Sequence, residues 1–244
     1  MTAREAAHGG YLERAEVTNA RTIDLVEYEH RARYLWAAEL VPERGVLLDA
    51  ACGTGHGSEV LAGRGSVIGI DIAKEAVDRA RSRAQGTFIQ SALPPVPLGV
   101  DAVDAVISFE TIEHIEDDED LIDEFSRVLR PGGTLFISSP NSKVTSPDGE
   151  VGNQFHVREY TLEELTTLVT GHGFEVEGVF GQGRRTSGPM HRLVRSGMWR
   201  TRALGRFSGF WRRLIFDRVM DRAVSPAAVD EAPEYWILRC RQCR

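Results

Sequence analysis

The amino-acid sequence predicts an α/β fold built on a mostly parallel β-sheet with helices on both faces. From residue 46 onward, short apolar runs with β propensity alternate with segments of helical character. This alternation is typical of parallel sheets, in which each strand is followed by a crossover helix. A glycine-rich turn, Gly53-Thr54-Gly55, separates the first strand from its helix. The chain has 244 residues, of which 42% are hydrophobic and 27% charged, enough for one domain with a large core.

Seven strands are expected in this sheet. Helices fill most of the intervals, and Arg130-Pro131-Gly132-Gly133 ends one of them because proline cannot continue a helix and glycine accepts a positive φ. Upstream of the first strand, residues 19–40 are predicted to form an amphipathic helix, either over the cleft at the carboxyl ends of the strands or on the sheet. The predicted strands are Val46–Ala50, Ser66–Ile70, Thr87–Ser91, Ala102–Phe109, Gly133–Ser139, Phe174–Phe180 and Tyr235–Cys240.

The chain is expected to divide around this sheet into a core, 45–180, an N-terminal helical cap, 1–44, and a last strand with its tail, 235–244. Between the last two strands, 181–234 is longer than a usual connection. It holds 11 Arg against two Asp between Arg184 and Arg222, together with several aromatic residues. We expect a helical insertion there, either a subdomain that packs its aromatics inward or a lid and acceptor-binding surface.

Charge and composition exclude several classes of protein. Residues 1–183 carry 15 basic and 31 acidic side chains, which argues against a nucleic-acid-binding protein because phosphate tracking needs a positive face. No apolar stretch reaches the ~18 to 20 residues of a membrane span, so no transmembrane segment and a cytoplasmic location are expected. The three cysteines do not form a disulfide framework. A homo-oligomer is left open.

The first two strands each end in an acid, Asp49 and Asp71, beside the glycine-rich turn. An acid after the second strand can accept hydrogen bonds from two ribose hydroxyls. The G-x-G-x-G spacing differs from the G-x-G-x-x-G of dinucleotide-binding folds, which opposes a dehydrogenase. Val46 to Gly55 resembles the first motif of class I S-adenosylmethionine (AdoMet)-dependent methyltransferases, and 127–133 resembles a later motif of that family.

This resemblance implies a Rossmann-like class I methyltransferase fold with AdoMet as the cofactor. Ser91-Ala92-Leu93-Pro94 is similar to the family's adenine-contacting loop, although Ser91 replaces the usual Asp and Ala51 stands where Gly is common. A catalytically silent nucleotide-binding scaffold is the competing interpretation, and the polar residues after the fourth strand oppose it. The residues expected to bind the cofactor are Asp49, Ala51, Gly53, Gly55, Asp71, Ile72, Ser91, Ala92 and Phe109.

Glu110, Glu113 and His114 follow the fourth strand, where open α/β sheets place ligands. If a helical turn starts there, positions i, i+3 and i+4 share one face. The E-x-x-E-H pattern resembles the metal motif of small-RNA 2′-O-methyltransferases and ubiquinone-pathway O-methyltransferases, and His156 matches a later histidine of the former. Glu110, Glu113, His114 and His156 are therefore expected to bind Mg²⁺ or Mn²⁺, with Glu113, His114 and His156 also catalytic.

Each of these residues has a simpler interpretation. Glu113 can begin an acidic helix, where negative charge is favoured. His114 can act as a general base without a metal, and His156 can be a loop histidine bonded to the backbone.

Three stretches resemble methyltransferases of glycan and polysaccharide assembly, such as those of methylmannose polysaccharides: 29–34, 108–115 and 153–160. A sugar hydroxyl is therefore the expected acceptor, with metal-assisted O-methylation as the reaction. The alternative is a metal-independent O-methyltransferase of a phenol, a quinol or another small molecule, with His114 as the base.

Overall fold

The computed structural model describes residues 20–183, 224–226 and 232–244. Within them the chain forms one β-sheet of eight strands in the order β3-β2-β1-β4-β5-β8-β6-β7. The strands are β1 Val46–Ala50, β2 Ser66–Asp71, β3 Thr87–Gln90, β4 Val103–Phe109, β5 Leu129–Pro140, β6 Phe174–Gln182, β7 Ser225–Pro226 and β8 Tyr235–Gln242. The α/β prediction is confirmed.

Helices connect these strands and flank the sheet. A short 3₁₀ helix, Ile112–His114, follows β4. The α-helices are α1 Ala20–Leu40, α2 His56–Leu61, α3 Lys74–Arg83, α4 Asp118–Val128, α5 Ser142–Thr145 and α6 Leu162–Gly171.

The first five strands are parallel, and β8 is antiparallel to both β5 and β6. Strand β1 lies between β2 and β4, so the chain reverses its direction of travel across the sheet beside β1. In open α/β sheets this switch point opens a crevice at the carboxyl ends of the strands, and ligands bind there. The loops after β1, β2, β3 and β4 line the crevice in this chain.

Apolar side chains cover both faces of the sheet. On one side α4 buries Leu121, Ile122, Phe125 and Val128, whose i, i+1, i+4, i+7 spacing forms one face of a helix. On the other side α1 packs Tyr34, Ala37 and Ala38 against strand residues that include Leu47 and Ile107. The predicted N-terminal helix therefore packs on the sheet, and its position brings Arg33 and Tyr34 to the crevice.

The eighth strand was not expected from the sequence. Ser225–Pro226 pairs antiparallel with Phe180 and Gly181 at the edge of the sheet, within the segment predicted as a helical insertion. The rest of that insertion, 184–223 and 227–231, and residues 1–19 of the predicted cap lie outside the described residues. None of the helices in the described ranges is long and apolar enough to cross a membrane.

Candidate active site

Asp71 joins the first two loops of the crevice. Its carboxylate oxygens accept hydrogen bonds from the Gly53 N–H at 2.8 Å and the Ala73 N–H at 2.9 Å. The side chain is almost fully buried, at 5% exposure. Each carboxylate oxygen can accept more than one hydrogen bond, so Asp71 keeps acceptor capacity for two ribose hydroxyls. The Asp71 carboxylate therefore has the acceptor oxygens that the ribose hydroxyls of AdoMet require.

Asp49 lies below the turn and is fully buried. The Tyr34 hydroxyl donates to its Oδ1 at 2.7 Å, and the Ser58 hydroxyl donates to its Oδ2. The predicted cofactor residue Asp49 thus connects α1, β1 and α2. Burying a carboxylate without hydrogen-bond donors would destabilise the fold. The two hydrogen bonds to Asp49 therefore stabilise the end of β1, next to the turn.

Two glycines of the turn are required by protein packing. A Cβ on Gly55, whose φ is +82°, would lie 2.8 Å from the Ala80 Cα, and one on Gly57 would lie 2.1 Å from the Tyr34 ring. The absence of a side chain at these two positions therefore lets α3 and the Tyr34 ring pack against the turn. Gly53, with φ +53°, directs its N–H to Asp71.

Among the other predicted cofactor residues, Ala51 and Ile72 make hydrogen bonds through their backbone and Phe109 makes a ring contact. The Ala51 N–H donates to the Thr111 hydroxyl at 3.2 Å, which connects the turn after β1 to the loop after β4. The Ile72 carbonyl accepts from the Gln90 side chain at 3.3 Å. Phe109 has its ring in the core, 5.1 Å from the Tyr34 ring in an edge-to-face pair.

The adenine-loop candidates Ser91 and Ala92 follow β3. The Ser91 N–H donates to the Asp71 carbonyl at 3.0 Å, and its hydroxyl donates to the Ala92 carbonyl at 3.0 Å. The loop is thus joined to Asp71 through the backbone.

A second polar group of three residues lies after β4. Ligand atoms of Glu113, His114 and His156 all lie within 4.8 Å of one another. The two imidazole rings are edge-to-face, with centroids 4.9 Å apart, and Glu113 is fully buried. We call these three residues the Glu-His-His cluster.

The loop that carries His156 is fastened to the 3₁₀ helix. The Val157 N–H donates to the Glu113 carbonyl at 2.7 Å. Farther along, the Tyr160 hydroxyl donates to Asp118 at the start of α4 at 2.7 Å. Burial and then the hydrogen bond with Asp118 raise the pKa of Tyr160, so it remains a donor. These contacts explain how His156, 42 positions beyond His114, comes to lie beside it.

Hydrogen bonds define the tautomers of both histidines. His114 Nδ1 lies 2.9 Å from the Phe155 carbonyl, which can only accept, so Nδ1 carries the proton and Nε2 the lone pair. His156 Nδ1 donates to the Glu159 carboxylate at 2.8 Å. Its Nε2 accepts from the Asn153 amide at 2.9 Å, because the Asn153 oxygen is accepting from the Phe155 N–H. Histidines that bind a metal ion through one ring nitrogen typically direct the N–H of the other ring nitrogen to a carbonyl or a carboxylate.

Glu159 is held as a carboxylate behind His156. Burial alone would raise the pKa of Glu159, but hydrogen bonds from Ser146, Thr145 and His156 together keep that pKa below its ordinary value. The Ser146 hydroxyl donates at 2.6 Å. A charged partner on Nδ1 favours electron density at Nε2, the atom that binds a metal ion or accepts a proton.

Glu110 is not part of the Glu-His-His cluster. It precedes the 3₁₀ helix and has a left-handed backbone with φ +52°, so it does not share a helical turn with Glu113 and His114 as the spacing suggested. Its carboxylate makes a salt bridge of 2.8 Å with Arg33 and accepts from the Ser138 hydroxyl at 2.8 Å. The structure therefore brings together three of the four predicted metal ligands.

Arg33 and Tyr34 are the site residues that sequence reasoning did not assign. Both lie on α1. Their buried side chains point to the two acids that end β1 and follow β4. The sequence signal that could have indicated them is their position on the same helix face as the apolar residues Ala37, Ala38 and Val41.

Several known proteins that are similar to this chain are methyltransferases. Residues 48–137 match a family model described as a methyltransferase domain. They lie within a sheet that has the class I methyltransferase fold. A probable S-adenosylmethionine-dependent methyltransferase of Mycolicibacterium smegmatis is 39% identical over 138 residues, covering 55% of this chain and 54% of that protein. One from Mycobacterium tuberculosis is 36% identical over 166 residues, covering 65% and 61%.

The chain thus spans little more than half the length of these curated relatives. A ubiquinone biosynthesis O-methyltransferase of Vibrio atlanticus is 34% identical over 107 residues, covering 41% of this chain and 45% of that one. A solved methyltransferase of Thermotoga maritima shares the methyltransferase fold, with a TM-score of 0.65 at 18% identity over 92% of this chain and 95% of that chain.

Proposed function

We propose that this chain is an AdoMet-dependent O-methyltransferase that methylates a hydroxyl of a sugar or glycan acceptor, with a divalent cation held by Glu113, His114 and His156. The observation that carries the proposal is the Glu-His-His cluster, whose ligand atoms lie within 4.8 Å of one another beside the crevice. A mixed oxygen and nitrogen set suits Mn²⁺ and, with more water ligands, Mg²⁺. Glu110 is left out of this set because Arg33 and Ser138 engage its carboxylate.

The tautomers of the two histidines support this assignment. Both rings place the proton on Nδ1 and the lone pair on Nε2, with Nδ1 directed to an oxygen of the protein. When bound, a divalent cation supplies positive charge that stabilises an acceptor oxygen as it loses its proton. The cluster would hold this charge with one carboxylate and two neutral ligands, leaving net positive charge for the acceptor.

Methyl transfer is an in-line displacement. The acceptor oxygen forms a bond to the methyl carbon as the sulfur–carbon bond breaks, and S-adenosylhomocysteine leaves with the electron pair. Asp71 orients the cofactor through its ribose, and the crevice aligns the two reactants, which contributes to the rate through proximity. With the cation bound, His114 Nε2 would be a ligand and the hydroxyl proton would pass to solvent. Without the cation, His114 Nε2 has the lone pair that can accept this proton.

Two lines of support concern the acceptor. The stretches 29–34, 108–115 and 153–160 resemble glycan and polysaccharide methyltransferases. The first contains Arg33 and Tyr34, and the other two contain the Glu-His-His cluster. The similarity to a ubiquinone biosynthesis O-methyltransferase supports oxygen as the methylated atom and keeps a phenol or quinol acceptor as the second candidate. In that case His114 serves as the general base without a cation.

Chelation separates the two candidates. The enzyme is incubated with labelled AdoMet and a panel of glycans and phenols, with and without excess EDTA, and the products are identified by mass spectrometry. We expect methylated glycan, no turnover in EDTA and recovery on adding Mg²⁺ or Mn²⁺. AdoMet affinity should change little, because the cluster acts on the acceptor.

Matched variants test the ligands. Glu113→Gln and His156→Ala should each reproduce the effect of chelation and abolish Mn²⁺ binding measured by calorimetry. His172→Ala is the control, since this histidine lies at the end of α6 and pairs with Asp123. Full turnover in excess EDTA, with Mn²⁺ binding absent from the wild type, would replace this proposal with the metal-independent mechanism.

A further inference from the structure

Arg33 is a charged residue buried beneath the crevice, with its side chain only 1% exposed. Its guanidinium pairs with Glu110 at 2.8 Å, lies 3.4 Å from the Ser138 hydroxyl and donates to the Gln182 side chain. The Tyr235 ring stacks on it, with the centroid 4.4 Å away. These contacts join α1 to the loop after β4 and to β5, β6 and β8. A buried charge is tolerated only when it is paired in this way.

Glu110 occupies a strained backbone conformation at the other end of this pair. Its φ of +52° is in the left-handed region, which side chains other than glycine rarely adopt. The Ser138 hydroxyl accepts from the Glu110 N–H at 3.1 Å and donates to the Glu110 carboxylate at 2.8 Å. Ser138 and Arg33 together therefore hold both the backbone and the side chain of a residue that would otherwise relax.

The residues after Glu110 belong to both halves of the site. Thr111 accepts from the Ala51 N–H at the cofactor turn. The 3₁₀ helix that follows carries Glu113 and His114. Because the chain is continuous and short here, a change in the Glu110 dihedral angles would move both groups.

We propose that Arg33 is a positioning residue: through its ion pair with Glu110 it sets the position of the 3₁₀ helix, and hence of Glu113 and His114, relative to the cofactor turn. Its effect on turnover rests on the proposed function, whereas its effect on the loop does not. Arg33 acts from the far side of Glu110 and is not itself a catalytic residue.

This role differs from a contribution to stability. Replacing both partners of a buried ion pair by apolar side chains of similar size is often neutral for folding, whereas removing one partner destabilises the protein because a buried charge is left unpaired. A structural role alone would therefore lower the melting temperature or change nothing. A positioning role lowers kcat while the protein stays folded, and it loosens the loop 110–116 locally.

The test compares Arg33→Met, Glu110→Gln and the double variant with the wild type. Arg31→Met is the matched control, since Arg31 is exposed and lies two residues away on the same helix. The measurements are kcat and KM for each substrate, AdoMet affinity and hydrogen exchange of the amides of 110–116. Arg33→Met should lower kcat at least about tenfold, change KM for AdoMet less than about threefold and speed exchange at 110–116. Exchange in β2 should not change.

The double variant shows whether Arg33 acts through Glu110. If it does, the double variant loses no more activity than the slower single variant, because the second change removes nothing further. Should Arg33→Met fail to fold, Glu110→Gln still breaks the charge pair and keeps Ser138 bonded, and the same kcat loss and faster exchange are expected. Wild-type kcat and wild-type exchange in a folded Arg33→Met variant, or multiplicative losses in the double variant, would overturn the proposal.

Hydrogen exchange distinguishes this proposal from the proposed function. If the wild type transfers no methyl group to any acceptor but Arg33→Met speeds exchange at 110–116, the function is wrong and the positioning role stands. If the wild type is active and Arg33→Met leaves exchange and kcat unchanged, the positioning role is wrong and the function stands.

Discussion

Replacing Asp71 by Asn tests the cofactor assignment with the smallest change of shape. In the structure the two carboxylate oxygens accept from the Gly53 and Ala73 N–H groups at 2.8 and 2.9 Å. Asparagine keeps one oxygen and turns an NH₂ group toward one of these donors, and the ribose loses a charged acceptor. A hydrogen bond to a charged group contributes about 1.5–3 kcal/mol. The dissociation constant for AdoMet should therefore rise roughly 10- to 150-fold.

Asp78→Asn is the control for the loss of one negative charge. Asp78 is an exposed acid of α3 that pairs with Lys74 at 2.6 Å and Arg81 at 3.0 Å. Exposed pairs contribute about 0–1 kcal/mol, so AdoMet affinity should remain near that of the wild type. Both variants are titrated by calorimetry below their melting temperatures. Unchanged affinity in Asp71→Asn, or tighter binding of NAD than of AdoMet to the wild type, would refute the assignment of Asp71 to the ribose.

Two further predictions concern stability. Tyr34→Phe should lower the free energy of unfolding by about 1.5–3 kcal/mol, because fully buried Asp49 loses a hydroxyl donor at 2.7 Å; scanning calorimetry that shows no change would contradict this. The hydrogen bond from Arg127, aided by the Val96 N–H, holds the pKa of Glu124 below its ordinary value. Charged Glu124 therefore stabilises the fold above the unfolded pKa of about 4.3, and this contribution is lost as the pH falls further. Denaturant unfolding of Glu124→Gln should show a deficit at pH 7 that shrinks below about pH 4; a pH-independent deficit would exclude the charge as its cause.

The strands were predictable because buried parallel strands are nearly continuous apolar runs. Six of the seven predicted strands overlap the observed ones within two residues at each end. Strand β5 is the exception, since it begins at Leu129 and not at Gly133. The pairing of β5 with β4 shifts register here, since Val103 lies opposite Leu129 and Ala105 lies opposite Thr134. The Pro-Gly-Gly segment, which was predicted as a turn, therefore lies in an irregular part of the strand. Two-residue β7 has no periodicity to detect.

The site was predictable where local spacing or strand order decides it, and not where the chain is distant. The approach of His156 to Glu113 and His114 follows from two loops at the same edge of the sheet. The place of Glu110 does not, because its side chain is directed by Arg33, 77 positions earlier in the sequence. Likewise, the contact between Arg33 and Gln182 joins residues 149 positions apart. No pattern within one helix or strand indicates such a pair.

The two mechanisms for the Glu-His-His cluster make the same demand on His114 and different demands on His156. A proton acceptor and a metal ligand both use His114 Nε2, whose lone pair is set by the Phe155 carbonyl. His156 Nε2 already accepts from the Asn153 amide, and its Nδ1 donates to Glu159. Without a cation, His156 therefore serves the loop, and its removal should reduce turnover only through the position of His114. With a cation, His156 Nε2 would bind the ion in place of the Asn153 amide, and the charged Glu159 on Nδ1 would strengthen that bond. Mn²⁺ affinity in His156→Ala thus separates the mechanisms more directly than turnover does, because turnover falls in both.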